Sequence, residues 1–403
     1  MEYRAWRGYC LCPLEEVPLP EDALPVDSPF SPLVFPVKRD PLKNRAWFAV
    51  SSMEEVSAPE DCSLLLPRKE DALPTFVSTH GATVLNVAFS RAYDFLSAPK
   101  KRQGLKLTLV GLGDVGGTLL TALKLLGKEI AEIGIYDPNE ALCKRYEMEL
   151  NQVLSAEGSP LPKITICPKE QLFDCDVFLF AASRGVPPVG SAVKDVRMAQ
   201  FSLNREMLRS YARQARNANF MGLFCQISDP VDQLCRSVFL ESNRDEAGHF
   251  DAGGLLPEQI QGFGLGVMAA RAAYYAEKEG LDLARLRVYG PHGAELVVAN
   301  DPLNYDETIS HSLTRKTVSA NLQVRQLGYK PYIAPALSSA VASILRLLRG
   351  ESHYGAVPMG GAYFGCQSRM SSAGLCLCRE ELHPALLKKL QKVHRLLEEF
   401  SYD

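Results

Sequence analysis

Gly111, Gly113 and Gly116 stand in a G-x-G-x-x-G spacing between the apolar run KLTLV and the stretch DVGGTLLTALKLLGKE. Glycine lets a backbone turn tightly enough there to approach a pyrophosphate. A helix opening at Asp114 and Val115 would offer that pyrophosphate its free N–H groups and a partial positive charge. Asp137 closes the next apolar run, in IYDPN, 26 positions on (137 − 111). A carboxylate at that point accepts hydrogen bonds from ribose hydroxyls and repels a 2′-phosphate, so the spacing predicts NAD in preference to NADP. Two C-L-C triplets, Cys10 with Cys12 and Cys376 with Cys378, offer four thiols. Zinc and iron–sulfur sites usually place two or more residues between paired thiols. A single leucine between them fits small buried side chains on alternating strand positions, and no metal is expected. His80, in STHG, reads as a surface or capping histidine.

The elements that must position the glycine turn are legible around it. KLTLVGLG reads as a buried strand entering the turn, DVGGTLLTALKLLGKE as a helix, AEIGIYD as a second strand and EALCKRYEMELNQVLSA as a second helix. KITIC, DCDVFLFAA and FMGLFCQIS read as further strands, with a helix over NREMLRSYARQARN. Strand–helix alternation of this kind predicts a doubly wound, mostly parallel sheet of Rossmann type. The division expected is an N-terminal extra region at 1–103, a dinucleotide-binding domain at 104–240 and a C-terminal α+β substrate domain at 241–403. The first region is rich in proline and carries short apolar runs such as WFAV and SLLLP, which predict short strands, with a helix between Thr83 and Phe95.

Composition limits the alternatives. The chain has 403 residues, 46% of them hydrophobic, enough for two or three domains with sizeable cores. A formal net charge of −3 argues against a nucleic-acid surface. No apolar run is long enough to span a membrane, and MEYRAWRGYCLCPLEE lacks the apolar core of a signal peptide, so a cytoplasmic protein is expected. Eleven cysteines, an odd number, read as reduced thiols.

Four further segments, in order, resemble the lactate/malate dehydrogenase family. DCDVFLFAASRGVPPVG is similar to the family's fourth-strand segment, whose backbone at Ala181, Ala182 and Ser183 would contact the cofactor. RMAQFSLN places Asn204 seven positions after Arg197, in outline the family's Arg-x-Asp-Leu-x-x-x-Asn, with Ala199 at the Asp position. QISDPVD resembles TNPVD, and VYGPHG resembles V-x-G-x-H-G, which carries the catalytic histidine. The resemblance implies that His292 moves a proton, that Arg197 polarises the reacting carbonyl, and that Arg271 and Asn204 bind substrate. Lys330 would stand where many members carry a small residue facing the substrate. It also implies a homo-oligomer, paired through helices of the cofactor domain.

The departures shape the functional expectation. Met268 stands three positions before Arg271, where the family's Asp orients the histidine, an alternative register puts Gly266 there, and Asp229 replaces the substrate-binding Asn. The strand end QISDPVD and the turn GPHG should converge at the carboxyl edge of the sheet, so Asp229 is expected to face the site and to pair with His292 or with the substrate. The reading is an NAD-dependent oxidoreductase acting on a small hydroxy or oxo compound other than lactate or malate. The alternative is a non-catalytic or regulatory NAD-binding protein. An NAD-dependent glycosidase with a metal held by Cys and His is a third reading, for which Cys225 is the nearest thiol.

Overall fold

A computed structural model of the chain describes residues 2–68, 81–99, 101–184 and 196–402, so His80 lies outside the described residues. The N-terminal region supplies six short strands: β1 (Tyr3–Trp6), β2 (Tyr9–Leu11), β3 (Leu24–Val26), β4 (Leu33–Val37), β5 (Trp47–Val50) and β6 (Ala82–Asn86). Two short helices accompany them, α1 (Met53–Val56) and α2 (Ala92–Ser97). The helix expected between Thr83 and Phe95 is therefore corrected. ATVLN is five consecutive buried residues, which suits a strand covered on both faces, and the helix begins only at Ala92.

The dinucleotide-type unit follows. Its strands are β7 (Leu105–Val110), β8 (Ile130–Tyr136), β9 (Lys163–Ile166), β10 (Val177–Phe180), β11 (Leu223–Gln226) and β12 (Ile260–Gly262). The helices between them are α3 (Asp114–Leu126), α4 (Glu140–Asn151), α5 (Val196–Asn217) and α6 (Val231–Ser242). All five neighbouring pairs in the order β9-β8-β7-β10-β11-β12 are parallel. β10, VFLF, is buried at every position, as a central parallel strand covered by helices on both faces must be. Strand order reverses between β7 and β10, and the carboxyl ends at such a reversal are where open α/β sheets bind ligands.

The remaining chain builds the other side of that crevice. It contains α7 (Leu265–Lys278), the hairpin β13 (Arg287–Tyr289) and β14 (Val297–Ala299), and α8 (Glu307–Gln326). A π-helical stretch, Pro335–Ala342, runs into α9 (Ser343–Arg349). The antiparallel meander β15 (His353–Met359), β16 (Ala362–Ser371) and β17 (Gly374–Leu377) then leads to α10 (Pro384–Glu398).

The meander joins β12 on one side and, through a parallel contact between Leu375 and Phe48, the N-terminal strand β5 on the other. The N-terminal strands thus extend the same sheet to fifteen strands. The seam is polar as well as apolar. The buried Glu258 accepts from Ala46 N at 2.8 Å across it, and on its N-terminal side Arg45 pairs with Glu60 at 2.8 Å with both side chains almost fully buried. Phe89 packs edge-on against Phe239 of α6. Opening the seam would leave the buried Glu258 carboxyl without the Ala46 N–H, and an unsatisfied buried polar group is costly.

The two C-L-C pairs lie four strand steps apart in the sheet, ~19 Å at about 4.8 Å per step, too far to share a metal. Cys10 and Cys12 are fully buried, and burial pushes the Cys12 thiol up to about 11. Among the described residues, no helix is long and apolar enough to cross a membrane.

Candidate active site

The glycine turn follows β7 directly, at the strand-order reversal. Gly111 has φ +94°, a left-handed conformation that side chains rarely adopt, and a Cβ on it would stand 2.4 Å from Ala182 N. A Cβ on Gly116 would stand 1.9 Å from Gly111 O, so α3 packs against the turn only if that position is glycine. Gly113 differs: a Cβ there would meet nothing within 4 Å. The backbone is open above it, and it caps α3 without any side-chain hydrogen bond. The first N–H groups of α3 have no helical partner, so the turn offers donors and room together. Val115 is half-buried against the core, while Asp114 is exposed.

Asp137 ends the next strand and ties itself to the turn. Its Oδ2 accepts from Leu112 N at 2.9 Å and its Oδ1 from Asn139 N at 2.9 Å. Each oxygen keeps a further lone pair, which is what ribose hydroxyls require. Ala181 and Ala182 pass over the turn from the end of β10, with Ala181 N donating to Val110 O. Ser228 Oγ donates to Ala182 O at 2.6 Å, linking this segment to the end of β11. Glycine cradle, open helix end and acid together fit a dinucleotide.

His292 lies on the turn after β13. Gly290 takes φ +85° there and its N–H reaches Gly365 O at 2.8 Å, which aims the following residues back toward the sheet. The imidazole packs over Gly264, where a Cβ would stand 2.6 Å from His292 Cβ. Nδ1 lies 2.8 Å from Asp229 Oδ1, and the His292 backbone N–H donates to Asp232 Oδ2 at 2.9 Å. The His292 side chain is 16% exposed and that of Asp229 49% exposed, so the pair sits at the rim of the crevice with its carboxylate reachable. With Asp229 ionised, Nδ1 carries the proton and Nε2 is left as the acceptor.

Electrostatics reinforce that arrangement. Burial alone would lower the pKa of His292, but the charge and hydrogen bond of Asp229 outweigh it. Asp232 adds to the rise, Arg271 opposes it, and the net effect raises the imidazole pKa from its ordinary value. Asp232 is buried, which pushes its carboxyl up to about 6 against the pull of the His292 N–H and charge.

The other expected residues separate into three groups. Arg271, on α7, is half-buried, with Nη1 3.8 Å from Met268 Sδ. Burial lowers its pKa, with Tyr275 and Asp229 acting in the opposite direction. Among the described residues no carboxylate lies within ion-pair distance of it. Asn204, expected on the substrate, is instead fully buried. Its Nδ2 donates to Asp229 O (2.7 Å) and Ser183 Oγ (3.3 Å), and its Oδ1 accepts from Arg184 N (2.9 Å). With both ends occupied by the framework, it positions the strand end that carries Asp229. Lys330, also expected at the substrate, is held at 2.9 Å by Asp114 on the glycine turn. Arg197 lies in the first turn of α5, and its side chain is outside the described residues.

Sequence reasoning missed Asp232, Ser228 and Gly264. Asp232 had a visible signal, the last residue of QISDPVD, but a buried acid bonded to a backbone N–H sixty positions away leaves no local periodicity. Cys225, the thiol of the glycosidase reading, is fully buried on β11, and among the described residues no three His, Cys, Asp or Glu side chains gather as metal donors.

Comparison with known proteins gives one fold. The malate dehydrogenase of Archaeoglobus fulgidus, solved in complex with NADH, superposes with a TM-score of 0.60 at 18% identity, covering 73% of this chain and 97% of that one. The minor L-lactate dehydrogenase of Enterococcus mundtii, in a ligand-bound form, gives 0.60 at 17% identity, covering 75% and 100%. The lactate dehydrogenase of Eimeria maxima, solved with NADH and oxamate, gives 0.58 at 18% identity, covering 75% and 94%. In sequence, the malate dehydrogenase of Sulfurimonas denitrificans is 24% identical over 197 residues, which is 48% of this chain and 57% of that enzyme. The matched segment therefore spans little more than half of that relative. No family model matches the chain. The chain has the fold of malate and lactate dehydrogenases, and the resemblance read from its motifs is borne out in that fold.

Proposed function

We propose that this chain is an NAD-dependent oxidoreductase of the lactate/malate dehydrogenase type, acting on a small hydroxy or oxo compound other than lactate or malate. The carrying observation is the 2.8 Å contact between His292 Nδ1 and Asp229 Oδ1 at the carboxyl edge of the sheet. The family's orienting carboxylate is replaced by Met268, and Asp229 supplies one from the neighbouring strand end. That contact favours the catalytic reading over the non-catalytic one.

The pyrophosphate would be held by the open N–H groups at Gly113 and the start of α3, and the adenosine ribose by Asp137. Bound NAD would supply the hydride acceptor or donor. His292 Nε2 takes the proton from a substrate hydroxyl in oxidation and returns it in reduction, while Asp229 holds the ring and stabilises the imidazolium. Asp232 fixes the backbone of His292 so that the ring cannot drift from the crevice. Arg271, a half-buried cation without a carboxylate partner among the described residues, is suited to a substrate carboxylate. The exposed edge of Asp229 repels a second anion, which is why a neutral or cationic group is expected there.

Titration with NADH and NADPH tests the cofactor part. NADH is expected to bind more tightly, and Asp137→Ala to narrow the difference by about tenfold, since the carboxylate no longer repels a 2′-phosphate. Tighter binding of NADPH by the wild type would overturn it. A homo-oligomer is also proposed, on fold analogy. A mass measurement in solution at micromolar concentration is expected to exceed that of one chain, and a monomer would refute it.

A further inference from the structure

Asp114 is the first residue of α3, so its carboxylate stands at the helix end whose free N–H groups would receive a pyrophosphate. A carboxylate is favoured at that end of a helix on its own account. Left alone, it would compete with an incoming phosphate for the same positive potential. Lys330 offsets it. Its Nζ lies 2.9 Å from Asp114 Oδ2, a contact made across 216 positions of sequence. It comes from the turn after α8, where Gly328 takes φ +86°. The side chains are 49% and 80% exposed, so neither is there to fill the core. The hydrogen bond to Asp114, and then its charge, raise the pKa of Lys330. Beside the pair, the space over Gly113 is open to 4 Å.

We infer that Asp114 and Lys330 form a charge clasp that sets dinucleotide affinity: Lys330 neutralises the carboxylate at the phosphate turn, so that the turn accepts an anion it would otherwise repel. The inference rests on the dinucleotide reading above. It makes Lys330 a residue of the cofactor cleft and gives Asp114 an unfavourable role that its neighbour cancels. The clasp also ties the turn after α8 to the glycine turn, so the two walls of the crevice are joined where the phosphates would lie.

The test is fluorescence titration of the full chain with NADH, for wild type, Lys330→Met, Asp114→Asn and the double variant. Lys330→Met is expected to weaken binding about tenfold, and Asp114→Asn to tighten it severalfold. In the Asp114→Asn background, Lys330→Met is expected to cost less than about threefold, because the exposed ammonium is no longer held beside the turn by Asp114. In about 1 M salt, where the Debye length is ~3 Å, the differences are expected to shrink. Equal losses from Lys330→Met in the two backgrounds, or no loss in either, would overturn the clasp while leaving the oxidoreductase reading intact. If wild type binds no NADH, that reading falls and the clasp falls with it. Melting temperatures of the four chains, expected to agree closely because both side chains are exposed, separate these effects from misfolding.

Discussion

Replacing His292 by alanine is expected to lower turnover by about a thousandfold, while NADH affinity stays within about threefold of wild type. The imidazole is the group whose Nε2 is left free for a substrate proton, because Nδ1 is held by Asp229 and the backbone N–H by Asp232. Alanine removes the proton acceptor and leaves the framework in place. The glycine turn is on the other side of the crevice and makes its hydrogen bonds to Asp137 and to the neighbouring strand, so it does not depend on the ring. Steady-state kinetics and an NADH titration on the same preparation check both halves. A variant that turns over at the wild-type rate would remove His292 from the mechanism. One that also loses NADH would point to a wider collapse of the crevice.

Asp229→Asn is expected to reduce turnover by about a hundredfold or more and to move the pH profile. Asparagine can still accept from Nδ1–H but carries no charge to stabilise the imidazolium. Burial lowers the pKa of His292 and Asp229 more than reverses that, so losing the carboxylate brings the value down. Reduction needs the imidazolium. Activity in that direction is present below the raised pKa and falls as pH rises through it, and the falling limb of the variant moves to lower pH. Oxidation needs the neutral ring, and its rising limb moves to lower pH too. Limbs that stay where they are in both directions would refute the pairing.

Stability carries the same sign. The pair favours the protonated ring in the folded chain. Its contribution is therefore full below the unfolded histidine value of about 6.5 and is lost as pH rises through the folded one. Asp229→Asn should accordingly lower the melting temperature more at about pH 6 than at about pH 9. The carboxylate is half exposed, so solvent screening keeps this difference small.

What the sequence revealed and what it hid follow the range of the interactions. The strand into Gly111, the helix from Asp114 and the acid at Asp137 are written in consecutive residues, so periodicity and turn chemistry exposed them. The meeting of Asp229 and His292, 63 positions apart, could be inferred because both end strands or turns at one edge of one sheet. Other pairings left no local trace. β5 joins β17 through Phe48 and Leu375, so the proline-rich region gave no sign that it continues the main sheet. Asn204 occupied a substrate position by motif, but its amide is consumed by Asp229 O, Ser183 Oγ and Arg184 N, all brought in by tertiary packing. Lys330 was placed near the substrate by the family resemblance, whereas its ammonium is held by a residue 216 positions earlier.

The central claim is that this crevice passes a proton through His292 and a hydride through bound NAD. The most direct measurement follows NADH absorbance in the presence of a panel of 2-oxo acids and uncharged or cationic oxo compounds, with wild type and His292→Ala run side by side. The account predicts that at least one compound other than pyruvate or oxaloacetate is reduced by the wild type, with NADH consumed in step, and that the variant loses that consumption. NADH that binds but is consumed with none of the panel, or is consumed equally by the variant, would contradict it.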